Sequence, residues 1–280
     1  MVGRLRRALG TRDVGHAGTL DPMATGVLVA LVGEATKLAP YLTAADKEYE
    51  TTIALGIETD TLDAEGRVVR RAPVDESVLL DGSERLLSAL ESELTRASQV
   101  PPAYSAIHVD GERAHARARR GEGVVLPPRP VSVKALDVLG AGLDPTPWIR
   151  VRICASKGYF VRSLARDLSE ALGTVGHLTA LRRIRSGSFT IDDAVAVDAA
   201  EDELRTHLLP LGAAASRALP VARLSESGVR DARFGRAVQA RDLEAPGTGI
   251  HAWLDSNMAL VAVGDVQPDG VGRVLRGFGP

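Results

Sequence analysis

The stretch Gly15-His16-Ala17-Gly18-Thr19-Leu20-Asp21-Pro22-Met23-Ala24-Thr25-Gly26-Val27 decides how the rest of the chain is read. Three glycines and a proline within these thirteen residues mark a loop of constrained backbone. The apolar run that follows predicts a buried strand over residues 26–32. Asp21 precedes Pro22, which biases it toward extended backbone and away from helix. Held on a rigid loop feeding a sheet, a carboxylate suits a nucleophile or a general base. The same residue types also build an ordinary turn, which an aspartate closes through its own side chain. His16 and Thr19 supply further polar groups just ahead of it.

The chain has 280 residues, 45% of them hydrophobic and 25% charged, enough for one large domain or a main domain with a smaller one. No apolar run approaches the roughly 20 residues that span a bilayer. Residues 1–7 lack the apolar core of a signal peptide, so the chain reads as cytoplasmic. Cys154 is the single cysteine, which excludes an intrachain disulfide, and its apolar surroundings predict a buried, inert thiol. A net charge of −2 does not mark a nucleic-acid binder. Distribution matters more than the sum, and cations cluster over residues 4–12, 113–120 and 182–185, with acids over 192–203. Nearly all are arginines, which suit bidentate contact with phosphate; a compositional bias with solvated faces is the plain alternative.

Residues 2–9 read as a helix. A short helix is expected over 35–42, where Leu38 and Leu42 are four apart. Tyr49, Thr51, Ile53 and Leu55 alternate with Glu50, Thr52 and Ala54, the period of a half-buried strand. Residues 56–66 form an acidic, threonine-rich loop. Hard oxygen ligands at close spacing suit a divalent cation, but the spacing is not that of a calcium loop and a solvated hairpin turn fits better. Apolar residues between 79 and 94 predict a peripheral helix. Gln99-Val100-Pro101-Pro102-Ala103-Tyr104-Ser105-Ala106 is extended, since two prolines forbid a regular helix. Residues 111–121 predict a short basic helix with Arg113, Arg117 and Arg120 on one face, either solvated or against phosphate.

Strands are expected at 130–139 and 148–154. Ser156-Lys157-Gly158-Tyr159-Phe160-Val161-Arg162-Ser163 then leads into a helix whose apolar side carries Val161, Leu164, Ala165, Leu168 and Leu172. Arg162 sits at the helix start, off that stripe, where exposed N–H groups favour anions. A surface ion pair is the simpler reading of that arginine. Residues 192–210 predict an acidic helical tract, and Gly, Ala and Ser over 211–219 a boundary. From Pro220 onward, short strands and glycine turns predict a compact β-rich domain.

The run G-H-A-G-T-L-D-P-M-A-T-G-V-L from Gly15 resembles the catalytic loop of the bacterial TruB family of tRNA pseudouridine synthases. Lys47-Glu48-Tyr49, the 99–106 segment, the S-K-G-Y-F-V-R run and residues 176–187 are similar to further blocks of that family. The resemblance covers about residues 1–215 well and the remainder loosely, by motif matching. It implies an α+β pseudouridine synthase fold with a mixed, mostly antiparallel sheet over 1–215, and a small β-rich, PUA-like RNA-binding domain over 216–280. It implies isomerisation of the T-loop uridine of tRNA, on a base swung out of its stack, without metal or organic cofactor.

By the same resemblance Asp21 is the nucleophile and Arg162 its ion-pair partner. His16, Tyr49, Phe160 and Leu181 lie against the target nucleotide, and the Tyr49 hydroxyl is a candidate for assisting proton transfer at C5. Phe160 stands where the family usually has tyrosine, so the stacking face is kept and a hydroxyl is lost. Asp63, Lys157, Arg182 and Arg183 are candidate RNA contacts. Attack at C6, attack at C1′ and a glycal route all remain open. The implied partner is the T-arm of tRNA, bound by a monomer with no obligatory protein partner and no membrane. The family opens with a strand and a Lys-Pro-containing segment ahead of the first helix, which this sequence lacks. A late start or a truncation is therefore expected, leaving a sheet edge exposed. A catalytically silent RNA-binding protein on the same scaffold, or a synthase for another RNA, are the alternatives.

Overall fold

The strand Lys47–Leu55 is the middle of the largest sheet. The computed structural model describes every residue except Asp81, Asp110 and Pro280 and the side chains of Val109 and Arg119. Two compact units emerge, residues 20–27 with 45–186 and residues 1–19 with 28–44 and 187–280.

In the first unit, Lys47–Leu55 pairs antiparallel with Trp148–Ala155 on one side and Gly176–Ser186 on the other. Val133–Gly142 extends the sheet beyond Trp148–Ala155, also antiparallel. Thr25–Gly26 lies parallel to Arg182 and Arg183. The sheet is thus mixed and mostly antiparallel, as the resemblance implies. Alternation puts Ile53, Ile149, Val151, Ile153 and Leu178 into one core with Leu86 of the Glu84–Leu94 helix and Leu164 and Leu168 of the Val161–Ala171 helix. Each such side chain, fully buried, stabilises the fold by about 1.5–3 kcal/mol. Ser83 caps the first of these helices, its Oγ accepting from the Leu86 N–H. Cys154 is buried, as its surroundings predict.

The second unit holds a five-stranded sheet in the order Leu243–Glu244, Val221–Leu224, Gly249–Leu254, Leu260–Val266, Gly272–Gly277. Only Val221–Leu224 and Gly249–Leu254 run parallel. Trp253 is fully buried at its centre. A Cβ on Gly264 would meet its indole at 2.1 Å, which explains a glycine in mid-strand. The Val2–Leu9 helix buries Leu5 and Leu9 against Val14 and Leu204 in the same unit.

Several expectations are corrected. Residues 26–32 are not one strand. Gly26 adopts φ +93°, Val27 N donates to Arg183 O, and pairing resumes only at Ala30–Val32, opposite Val14–His16. The 35–42 helix is a 3₁₀ turn, Gly33–Leu38, running into Ala39–Ala44; Leu38 and Leu42 are buried as their spacing predicts. The 79–94 helix begins only at Glu84, after a 3₁₀ turn at Glu76–Leu79; Asp81, inside that span, lies outside the described residues. Glycines with positive φ at 111 and 121 confine the basic helix to Ala114–Arg119. The acidic tract is helical only at Glu201–Thr206, because a capping box between Thr190 and Asp193 closes a single 3₁₀ turn first. Within the Gly, Ala and Ser stretch over 211–219 the chain forms a helix, Leu211–Ala218, as alanine's high propensity favours.

Gly26→Ala would set a Cβ 2.1 Å from the Arg183 carbonyl oxygen at a left-handed φ. Urea unfolding followed by circular dichroism is expected to show a loss at or above the ~1–3 kcal/mol typical of one strained backbone position.

Candidate active site

Arg162 is the hub of the site. The Gly158 turn, at φ +89°, delivers the chain to the Val161–Ala171 helix and leaves Arg162 one residue inside its start. Its side chain is only 7% exposed, while that of Asp21 is 34% exposed. The guanidinium grips Asp21 in a fork, Nε to Oδ2 at 3.0 Å and Nη2 to Oδ1 at 3.1 Å. Nη1 donates to the Thr61 carbonyl at 3.1 Å, and Nη2 also to the Tyr104 carbonyl at 2.9 Å. Asp63 supplies a second carboxylate, 3.7 Å from Nη1. A buried cation is thus satisfied on every side, and the one carboxylate that reaches solvent is aimed by it.

The other supports come from equally distant segments. Gln99, 2% exposed, accepts from Phe160 N at 2.9 Å and donates to Phe160 O at 3.2 Å, clamping the residue that caps the helix. Ser163 Oγ and Arg166 both donate to Val100 O. Tyr159 donates to buried Glu93 at 2.6 Å, and Glu93 in turn pairs with Arg96. Burial and the Glu93 charge push the Tyr159 phenol upward, so it stays a neutral donor. Leu62 takes a positive φ of 62° in the turn that presents Thr61 and Asp63 to Arg162, a conformation uncommon outside glycine.

Asp21, Arg162, Tyr49, Phe160 and Leu181 all belong to the same compact unit. Leu181 is buried in the sheet core, and Tyr49 packs against that core half-buried. Burial raises the Tyr49 phenol above its ordinary range, against the opposing influence of the Arg183 charge. His16 is exposed at the end of Val14–His16, in the other unit. Lys157 and Arg182 are exposed.

Two candidate RNA contacts are corrected. Arg183 is 1% exposed, its Nε donating to Val27 O at 2.7 Å, so its side chain is not presented to a phosphate. Asp63 is 4% exposed and accepts from Thr61 Oγ1 and Glu65 N; it serves Arg162 from within. The acidic loop is a turn between the paired strands Ile57–Thr59 and Val68–Arg71, and Asp60 is engaged by Arg67. On the basic face, Arg117 pairs with Glu122, and Arg120 with both Glu112 and Glu122. The roles of Gln99, Glu93 and the Tyr104 carbonyl were not visible in sequence. The Q-x-P-P-x-Y-S-A spacing marked the segment of Gln99 and Tyr104, but nothing in spacing shows which backbone carbonyl an arginine will find.

The profile of the TruB family pseudouridylate synthase N-terminal domain fits residues 6–161, and that of the tRNA pseudouridylate synthase B C-terminal domain fits residues 162–216. The chain belongs to the TruB family of pseudouridine synthases. It is 44% identical over 278 residues to tRNA pseudouridine synthase B of Arthrobacter sp. (strain FB24), covering 96% of this chain and 85% of that protein. It is 43% identical to the protein of the same name from Thermobifida fusca (strain YX), covering 88% and 84%. In fold it resembles a chain of a Cbf5–Nop10–Gar1 complex, with a TM-score of 0.73 at 21% identity over 99% of this chain and 79% of that one. No helix among the described residues is long and apolar enough to cross a membrane.

Arg162→Lys keeps the charge and loses the fork. It is expected to lower the melting temperature by several degrees and to abolish most activity, checked by thermal unfolding and turnover on the same sample. A second expectation concerns Lys47. Burial and the nearby Arg183 and Lys157 cations bring its ammonium down to about 8. An unfolded lysine titrates near 10.4, so between about pH 8 and 10 the unfolded chain holds a proton the folded one has shed. Stability from this group therefore rises with pH in that window. Urea unfolding of the native chain should gain on Lys47→Met as pH climbs through it, and a constant difference would refute the assignment.

Proposed function

We propose that this chain converts the T-loop uridine of tRNA to pseudouridine, with Asp21 as nucleophile. The observation that carries this reading is the Asp21 carboxylate, part-exposed, forked onto a buried Arg162 within a loop that matches the family's catalytic block. Relatives of high identity bear the name tRNA pseudouridine synthase B, which supports tRNA as the substrate.

The target base leaves its stack to reach the site. Unstacking is offset by packing against Tyr49, Phe160 and Leu181, and the sequence motif adds His16 as a further nucleotide-facing group. Asp21 takes part as a carboxylate, the C1′–N1 bond breaks, and the uracil turns. C5 then bonds to C1′, C5 loses its proton, and N1 ends protonated. Nothing is gained or lost overall, as an isomerisation requires. Arg162 keeps the acid oriented through the sequence without itself being exposed. Lys157 and Arg182, both exposed, suit contact with RNA phosphates. Residues 216–280 serve as a PUA-like RNA-binding domain in this reading, supported by their short strands and glycine turns. A monomer in the cytoplasm fits, since one chain supplies the whole Asp21–Arg162–Asp63 set.

The test is tritium release from C5-labelled uridine in a T-loop transcript. The native chain should release tritium, and Asp21→Asn should slow release by on the order of a thousandfold with RNA binding intact. Binding without release by the native chain would make it a silent RNA binder. Release only from uridines outside the T-loop would make it a synthase for another RNA.

A further inference from the structure

Glu93 is the buried charge that the proposed reaction leaves unused. It is 2% exposed, on the inward face of the Glu84–Leu94 helix with Leu86 and Ala89. A carboxylate so placed persists only where its oxygens are met. Oε1 accepts from the Tyr159 hydroxyl at 2.6 Å, and Arg96 meets Oε2 with Nε at 2.7 Å and Nη2 at 2.6 Å. Arg96 carries the connection onward, its Nη1 lying 3.4 Å from Asp167 Oδ2. Asp167 also accepts from Arg166 Nε at 2.7 Å. Arg166 Nη2 in turn donates to the Val100 carbonyl at 3.0 Å, beside Ser163 Oγ at 2.9 Å.

These links close on two sides of one residue. Tyr159 lies just before Arg162, and Asp167 just over one helical turn after it. Glu93 and Arg96 join the two from a different part of the chain, and the set reaches Asp21 only through the Arg162 fork. Phe160 is held separately, by the Gln99 clamp on its peptide groups. We infer that Glu93 is a positioning residue of the proposed reaction: it ties Tyr159 and, through Arg96, Asp167 to one point, and so sets the helix start from which Arg162 forks onto Asp21. This inference rests on the function proposed above. Removing the Tyr159 hydroxyl opens one arm of this bracket and leaves the ring, the Gln99 clamp and the Glu93–Arg96 pair in place. The effect therefore falls on the step that uses the Asp21 carboxylate, not on the contact of Phe160 with the base.

Its test has two readouts. In the full chain without RNA, the ¹H–¹⁵N resonance of Arg162 Nε, assigned by its loss in Arg162→Lys, reports the fork onto Asp21 directly. Tyr159→Phe should shift that resonance, although the deleted hydroxyl bonds Glu93 and not Arg162. In tritium release measured well below the melting temperature of each variant, Tyr159→Phe should lower kcat by about tenfold, the scale of a lost hydrogen bond to a charged group, with KM changed less than ~2-fold. Glu93→Leu opens both arms and should cost more on both readouts; if it does not fold, Tyr159→Phe carries the comparisons alone. A purely structural role would lower the melting temperature and leave the resonance and the kcat of the folded chain where they are. An unmoved Arg162 resonance, a kcat within ~2-fold of native, or a loss that falls on KM overturns the inference. A native chain that releases no tritium overturns the proposed function instead, while the resonance still decides whether Glu93 sets the fork.

Discussion

A guanidinium taken out of water is tolerated only when its donors are met, and Arg162 dictates what must meet them. Its partners lie at positions 21, 61, 63 and 104, on a loop, a turn and an extended segment that share no local sequence logic. Each of those segments is anchored elsewhere as well. The 59–63 turn is tied by Thr59 Oγ1 to Asp63 O, and the 99–105 segment by Gln99 and Ser163. The hub therefore sits among supports that are already fixed, which is the condition for holding the Asp21 carboxylate in one orientation.

Much of this was legible in the chain itself. The glycine-rich loop, the alternation over 49–55 and 148–154 and the apolar stripe of the Val161–Ala171 helix are all periodicity or turn chemistry, and each lies where those rules put it. The pairing of Asp21 with Arg162 followed from the family's motif, not from spacing, since 141 residues separate them. Arg183 was misjudged for an instructive reason. In a strand, Leu181 and Arg183 face one way and Arg182 the other. An inward arginine was therefore implied by the period, but the carbonyl at 27 that it reaches comes within range only after the sheet has formed. Residues 26–32 failed similarly: hydrophobicity marked burial, but one glycine with positive φ decided that the run would be two strands.

In this chain of net charge −2, the arginines on the sheet surface are matched by acids on the next strand. Arg150 and Arg152 both reach Glu50 from the neighbouring strand, and Arg185 reaches Glu48. The two guanidiniums hold the Glu50 carboxyl below the usual range. Such cross-strand pairs contribute little to stability when exposed. Their effect is geometric: long, flexible arginines are held across to the neighbouring strand.

The Gln99 clamp has one consequence of a different kind. It grips position 160 entirely through peptide groups, one amide hydrogen and one carbonyl oxygen, and leaves the ring out of the anchoring. The helix start and everything it aims are therefore insulated from the identity of that aromatic. A lineage can exchange phenylalanine for tyrosine there, changing the polarity of that ring, while the machinery behind it keeps its alignment.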